Sequence, residues 1–326
     1  MAKIIYFDRV TPNLIEVFEA NKPCGFELVF WQLLSDDEQQ LALAQADYFM
    51  VGAYKITKEM LNKASLVKFV QKNGIGVDNI DLDAARNLGI PVSNVPGGNT
   101  FAVAEFTIGA IISVYRRLVT QDKATKSGKW LMWDLRPFVY EMRGKVHGVI
   151  GFGNIGREVA RLSQAFGTKV IYYDVKRLEP AAEQKIGASY VALDELLQQS
   201  DIVSIHVPLL PATRNLIGSK ELALMKQTAI LINVARGNIV NEEALYTALS
   251  EQKILGAALD VWASEPVQAD NKLLGLDNLL ATPHIAAGTR DTFKDILNIA
   301  FENIQSAQSG RLPKFIVNKT ESLRGQ

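Results

Sequence analysis

The run VHGVIGFGNIGREVARL, residues 146–162, changes its period in the middle. VHGVI is a short apolar stretch of the kind that forms a buried strand, while GREVARLSQAF places its apolar residues at helical spacing. Between the two stand Gly151, Gly153 and Gly156. A lone GxGxxG is weak evidence; between a strand and a helix it acquires a mechanism. Gly151 permits the tight turn, Gly153 lets backbone approach a pyrophosphate, and Gly156 lets the helix pack on the strand. The N–H groups of Asn154 and Ile155 open the helix and face an anion.

The next strand, KVIYYD, ends in Asp174, within about 20 residues of the last glycine, where an acid reaches the adenosine ribose hydroxyls. A carboxylate there repels a 2′-phosphate, so NAD is expected over NADP. Lys176 and Arg177 follow directly and are the residues that would soften that preference. The bland alternative, a glycine-rich turn without a ligand, leaves strand, helix and acid unexplained together.

Further along, DIVSIHV, AILINVA, GAALDV and LLATP read as strands, with helices GREVARLSQAF, LDELLQQ, SKELALM and NEEALYTALS between strands of this series. Upstream, KIIYFD, FELVFW, YFMV, VKFVQK and PVSN read as strands, separated by helices TPNLIEVFEA, DDEQQLALAQ, TKEMLNK and DLDAARNL. Thr11-Pro12 is a cap followed by a first-turn proline. Such alternation implies parallel sheets with helices on both faces. FAVAEFTIGAIISVYRR predicts a buried helix. TQDKATKSGKW and WDLRPFVYEMRGK predict an irregular, aromatic excursion suited to covering a partner subunit. A final helix, TRDTFKDILNIAFENIQSAQ, precedes the tail RLPKFIVN.

The expected fold class is therefore α/β, with two doubly wound parallel-sheet domains. A Rossmann NAD-binding domain, residues 99–288, is inserted into a flavodoxin-like substrate domain, residues 1–98 and 289–326. The crossings near 96–100 and 286–290 would form a hinge, and the cleft would be the natural site.

Composition agrees with two domains. The 326 residues are 48% hydrophobic and 21% charged, more chain than one core usually serves. Lys+Arg 35 against Asp+Glu 35 offers no pull toward nucleic acid or an anionic membrane. The single cysteine, Cys24, has no internal partner and reads as a small apolar filler, and no Cys/His cluster suggests a metal. FTIGAIISVY is too short to span a bilayer, and MAKIIYFDRV lacks a signal-peptide apolar region, so a cytoplasmic location is the expectation.

Three charged residues follow later strands: Arg236 after LINVA, Glu265 in WASEP and His284 in TPHIAAGT. In an open parallel sheet the carboxyl ends of strands line the ligand crevice. Arginine offers a fixed fork to a carboxylate, histidine exchanges a proton near neutral pH, and a nearby carboxylate orients the imidazole. Taken singly, each has a structural reading; three at strand ends beside a nucleotide turn point to catalysis. Of the other two histidines, His147 reads as structural, and His206 flanks the cofactor with Pro208 shaping the wall. In NGIGVDNID, Gly74 and Gly76 expose backbone N–H groups to an anion. Asp78 and Asp81 read as helix caps, and Lys72 as a solvated lysine.

NGIGVDNID, NVPGGNTFAVAE, GVIGFGNIG, HVPLLPATRNLIG, INVARGNIVNEEAL, ALDVWASEP and TPHIAAGT, in this order, resemble the D-isomer-specific 2-hydroxyacid dehydrogenase family, which includes D-3-phosphoglycerate dehydrogenases and glyoxylate/hydroxypyruvate reductases. The resemblance implies D-stereospecific hydride transfer between NAD(H) and a small 2-keto/2-hydroxy acid. It implies Arg236 as ligand of the substrate carboxylate and carbonyl, and Glu265 with His284 as the acid/base pair. It further implies the backbone of Ile75 and Gly76 as a carboxylate cradle, Val234, Ala235 and Asp260 as nicotinamide neighbours, and a homodimer. The tyrosine of D-lactate dehydrogenases is replaced here by PGGN, and the glutamine of formate dehydrogenases by Glu265, which argues against both reactions. The rival expectation is an NAD(H)-sensing, non-catalytic protein of the corepressor type, which keeps the same triad.

Overall fold

The computed structural model describes residues 1–324. The chain forms two compact units, Met1–Asn99 with the segment from Arg290, and Thr100–Thr289.

The first unit holds five parallel strands: β1 (Ala2–Tyr6), β2 (Phe26–Phe30), β3 (Tyr48–Val51), β4 (Phe69–Lys72) and β5 (Val92–Ser93). Their order, β2-β1-β3-β4-β5, is that of flavodoxin-like sheets. Both faces are buried, so strand alternation sorts apolar residues between two cores rather than between core and water. Ile5, Phe7, Phe49 and Val51 meet Leu43 and Leu61 on one side. Ile4, Tyr6, Tyr48 and Met50 meet Phe18 on the other, together with Leu297, Phe301 and Ile304 of the long helix Arg290–Gln308. Buried Asn303 of that helix donates to Gln71 on β4 at 2.9 Å. The tail then covers the outer edge of β5. Ile316 bridges Ser93 antiparallel, Val317 N–H donates to Val92 O at 2.8 Å, and Asn318 bonds the backbone of Val92 and Ile90. A short, capped edge leaves no row of open backbone groups.

The second unit holds seven parallel strands: β6 (Val146–Ile150), β7 (Lys169–Tyr173), β8 (Ala188–Tyr190), β9 (Ile202–Ile205), β10 (Ile230–Asn233), β11 (Gly256–Leu259) and β12 (Leu279–Ala281). The order β12-β11-β10-β9-β6-β7-β8 reverses between β6 and β9. That reversal opens a crevice at the carboxyl ends of the strands. The helix Thr100–Arg116 buries Val103, Ile111 and Tyr115 against Ile230, Ile232 and Ala258 on one face. Helices Leu193–Gln199, Ser219–Leu224 and Glu242–Ser250 cover the other.

Several expectations change. The stretch read as irregular contains a helix, Leu118–Lys126, which starts after Arg117 turns the chain with φ +48° and carries an Asp122–Lys126 pair along one face. A second short helix, Met132–Leu135, follows. The helix Pro180–Ile186 and the strand β8 were not anticipated. The helix has a first-turn proline and a left-handed Gly187 stop, a legible signature, whereas three residues of β8 are too few to show a period. Cys24 is exposed rather than filling a core. Lys72 is only 7% exposed rather than solvated, and its Nζ donates to Gly52 O and to Asn79 Oδ1. Of the two aspartates read as caps, Asp81 is the N-cap of Leu82–Asn87, accepting from Ala84 N–H at 2.9 Å. Among the described residues no helix is long and apolar enough to cross a membrane.

Candidate active site

The turn after β6 is shaped by contacts that leave no room for side chains. Gly151 has φ +92°, and a Cβ there would stand 2.7 Å from the carbonyl of His206. A Cβ on Gly156 would stand 2.1 Å from Gly151 O, so the helix Asn154–Ala165 sits directly against the turn. Gly153 is different: a Cβ there would meet nothing within 4 Å. It is the N-cap of the helix and caps it with no side chain. The first-turn N–H groups, those of Asn154 and Ile155 among them, therefore face open space with the positive end of the helix behind them. Asp174 follows β7 and reaches under the turn, its Oδ2 accepting from Phe152 N–H at 2.7 Å and its Oδ1 from Lys176 N–H at 3.1 Å. A dinucleotide fits these residues: its pyrophosphate suits the open helix start and its ribose the carboxylate.

The three charged residues converge within the same unit. After β10, the Asn233 side chain pins the backbone, accepting from Ala235 N–H at 3.1 Å and donating to Arg236 O at 2.9 Å. Gly237 then lets the loop after β11 pass, since a Cβ there would overlap Trp262 O. Glu265 Oε1 accepts from Trp262 N–H at 3.0 Å, and its Oε2 accepts from His284 Nδ1 at 2.7 Å. Burial pushes the Glu265 carboxyl up; the hydrogen bonds from His284 and Trp262 and the charges of His284 and Arg236 outweigh it and hold the group below the usual carboxylate range. Because Nδ1 is committed to Glu265, Nε2 is left as the proton-exchanging atom.

Asp260, directly after β11, secures the strand of chain that carries His284. Its carboxylate, 1% exposed, accepts from Thr282 Oγ1 at 2.7 Å, Ile285 N–H at 2.9 Å and Ala286 N–H at 2.8 Å. Its backbone carbonyl accepts from His284 N–H at 2.7 Å, and the Trp262 indole donates to Thr282 O at 3.0 Å. His284 itself sits at φ +55°, in the left-handed region. Sequence reasoning did not find this anchoring, nor the role of Asn233; an aspartate and an asparagine closing buried strands were the available signal.

The other candidate residues divide by place. Val234 is 8% exposed and Ala235 half-buried at the end of β10. Pro208 is exposed beyond β9, its carbonyl accepting from Thr213 Oγ1 at 2.6 Å. His206 follows β9; its Nε2 bonds Ser204 Oγ at 2.9 Å, and burial pushes its pKa down to about 3. Ile75 and Gly76 belong to the first unit, in the turn after β4. There the Gly74 carbonyl accepts from Val95 N–H at 2.9 Å and the Ile75 carbonyl from Asn94 Nδ2 at 2.8 Å. With their carbonyls pinned, the peptide planes of this turn hold one orientation.

Residues 108–286 match the family model described as D-isomer specific 2-hydroxyacid dehydrogenase, NAD binding domain. The chain is 39% identical over 312 residues to a glyoxylate reductase of Aeropyrum pernix, covering 94% of this chain and 90% of that protein. It is 42% identical over 318 residues to a D-3-phosphoglycerate dehydrogenase of Archaeoglobus fulgidus; that match takes in 97% of this chain but only 59% of the longer relative. The structure superimposes on apo D-mandelate dehydrogenase of Rhodotorula graminis with a TM-score of 0.85 at 26% identity, covering 99% of both chains.

Proposed function

Since the chain belongs to the D-isomer specific 2-hydroxyacid dehydrogenase family and is an NAD-dependent oxidoreductase acting on CH–OH donors, we propose that it reduces a small 2-keto acid of the glyoxylate type to the 2-hydroxy acid. Larger substrates of this kind would give the D isomer, with His284 as proton donor. The observation that carries the proposal is the 2.7 Å hydrogen bond from His284 Nδ1 to Glu265 Oε2. The name of the Aeropyrum pernix relative supports the substrate class.

Glu265 stays ionised at neutral pH and holds the imidazole by Nδ1. Protonated His284 gives its Nε2 proton to the substrate carbonyl oxygen, which becomes the hydroxyl. Arg236 holds the substrate carboxylate with its planar fork and places positive charge beside the polarised carbonyl. NADH held at the open helix start after β6, beside Asp174, would supply the hydride to the carbonyl carbon. In the oxidative direction neutral His284 takes the hydroxyl proton back. The N–H groups of Ile75 and Gly76, in the turn after β4, are a further carboxylate-binding candidate.

Two finer features belong to the same reading. NAD is preferred over NADP, because the Asp174 carboxylate opposes a 2′-phosphate and Arg177 is engaged elsewhere. Its guanidinium bonds Glu183 at 2.8 and 3.0 Å and stacks over Tyr190. The protein works as a cytoplasmic homodimer, for which exposed Trp130, Met132, Trp133 and Phe138 supply an apolar face. The test is a spectrophotometric screen of 2-keto acids with NADH and NADPH. His284→Ala should lower turnover with the best acid about 10²–10⁴-fold while NADH binding persists; near wild-type turnover would refute the proton donor.

A further inference from the structure

The third histidine lies where no reaction step needs it. His147, on β6, is fully buried, and both ring nitrogens are engaged: Nδ1 with Ser163 Oγ at 2.8 Å and Nε2 with Ser204 Oγ at 2.8 Å. The chain of contacts continues at each end. Ser163 Oγ meets Thr168 Oγ1 at 2.7 Å, and Ser204 Oγ meets His206 Nε2 at 2.9 Å. Five side chains, Thr168, Ser163, His147, Ser204 and His206, are thus linked in one line from the start of β7 to the carboxyl end of β9. The line stops at His206 Nδ1, which is buried without a hydrogen-bond partner. His206 is also the residue whose carbonyl packs on Gly151 of the dinucleotide turn.

Burial pushes both histidines down to about 3, so each is neutral at physiological pH and carries one ring proton. Ser204 has one hydroxyl proton and stands between two Nε2 atoms. Its proton is used only when it donates to one and accepts from the other, and that arrangement ties the two tautomers together. If His147 carries its proton on Nε2, Ser204 accepts it and donates to His206 Nε2, and His206 carries its proton on Nδ1. Every bond then runs the same way: Thr168 to Ser163, Ser163 to His147, His147 to Ser204, Ser204 to His206. The opposite polarity leaves a lone pair at His206 Nδ1. A buried polar atom without a partner is destabilising, and an ionised phosphate oxygen is an acceptor that satisfies a donor, not a lone pair.

We propose that His147 and Ser204 form a buried tautomer lock that presents the Nδ1–H of His206 as a donor to an acceptor oxygen of the bound dinucleotide. The two are positioning residues that act through His206. The inference rests on NAD occupying the turn after β6, and its test keeps the two ideas apart.

With only 3 histidines in the chain, ¹⁵N-histidine labelling and long-range ¹H–¹⁵N correlation read each tautomer in the full-length protein, with and without saturating NADH. NADH binding is followed separately by fluorescence titration. The expected result with NADH is His206 protonated on Nδ1 and His147 on Nε2. Ser204→Ala should leave His206 in a mixture of tautomers and raise the NADH Kd about tenfold, equivalent to about 1.4 kcal/mol. NADH binding with His206 protonated on Nε2 overturns the lock alone. An unchanged His206 tautomer and Kd in Ser204→Ala does the same. Absence of NADH binding by the wild-type chain overturns both the lock and the cofactor site.

Discussion

Glu265→Gln is the sharpest perturbation of the site, because it removes a charge and keeps the shape. In the wild type the carboxylate accepts from His284 Nδ1 at 2.7 Å. At an effective dielectric near 20, unit charges about 4 Å apart attract by about 4 kcal/mol. The two side chains are 42% and 33% exposed, and exposed pairs retain only a part of that. A discounted value of about 1.4 kcal/mol corresponds to about a tenfold change in rate. The carboxylate fixes the imidazole by Nδ1 and leaves Nε2 to exchange the proton; an amide oxygen can accept the same hydrogen bond but without the charge. Glu265→Gln should therefore lower kcat/KM for keto-acid reduction about tenfold. The assay is NADH oxidation with a glyoxylate-type acid, beside thermal melts that confirm folding. A folded Glu265→Gln protein with undiminished kcat/KM would refute the claim that this carboxylate supports the proton donor.

Gly153→Val should fold, since a Cβ there meets nothing within 4 Å, yet lose NADH binding by tenfold or more on the order of P-loop-like crowding of an anion site, as fluorescence titration would show. Asp260→Asn places an amide where three donors now converge; losing about 1–3 kcal/mol, it should melt several degrees lower and turn over more slowly as the His284 segment loosens. Stability should fall in acid, with the sign set by the buried histidines. His147 titrates at about 3 when folded and near 6.5 when unfolded, so its contribution is intact above pH 6.5. Below that the unfolded chain takes up a proton the folded chain refuses, and stability falls toward about 1.4 kcal/mol per pH unit until pH approaches 3. Urea midpoints at pH 7.5, 6 and 5 check this, and His147→Leu should flatten the slope.

The parts of this protein written in local pattern were legible before any coordinates. The glycine turn is one, because strand, turn and helix are neighbours in the chain and Gly156 answers a local steric demand, a Cβ there standing 2.1 Å from Gly151 O. The flanking strands are another, because buried parallel strands are near-continuous apolar runs. The helix Leu118–Lys126 escaped notice because its polar composition shows no apolar stripe; its start is set by a left-handed Arg117. Lys72 was misjudged because a lysine declares its charge in sequence but not the carbonyl and amide that close around it.

The order of motifs along the chain was enough to name the fold class and the cofactor and to single out Arg236, Glu265 and His284 as candidates, since short-range sterics and chemical type do not depend on distant partners. Folding alone settled that Glu265 and His284 meet at 2.7 Å, that Asp260 ties down the histidine's backbone, and that His147 connects through Ser204 to His206. Glu265 and His284 are 19 positions apart, Asp260 and Ala286 are 26, and His147 and Ser204 are 57; parallel strands lying side by side in one sheet bring them together. A hydrogen bond is a matter of tenths of an ångström, and no spacing along a sequence carries that measure.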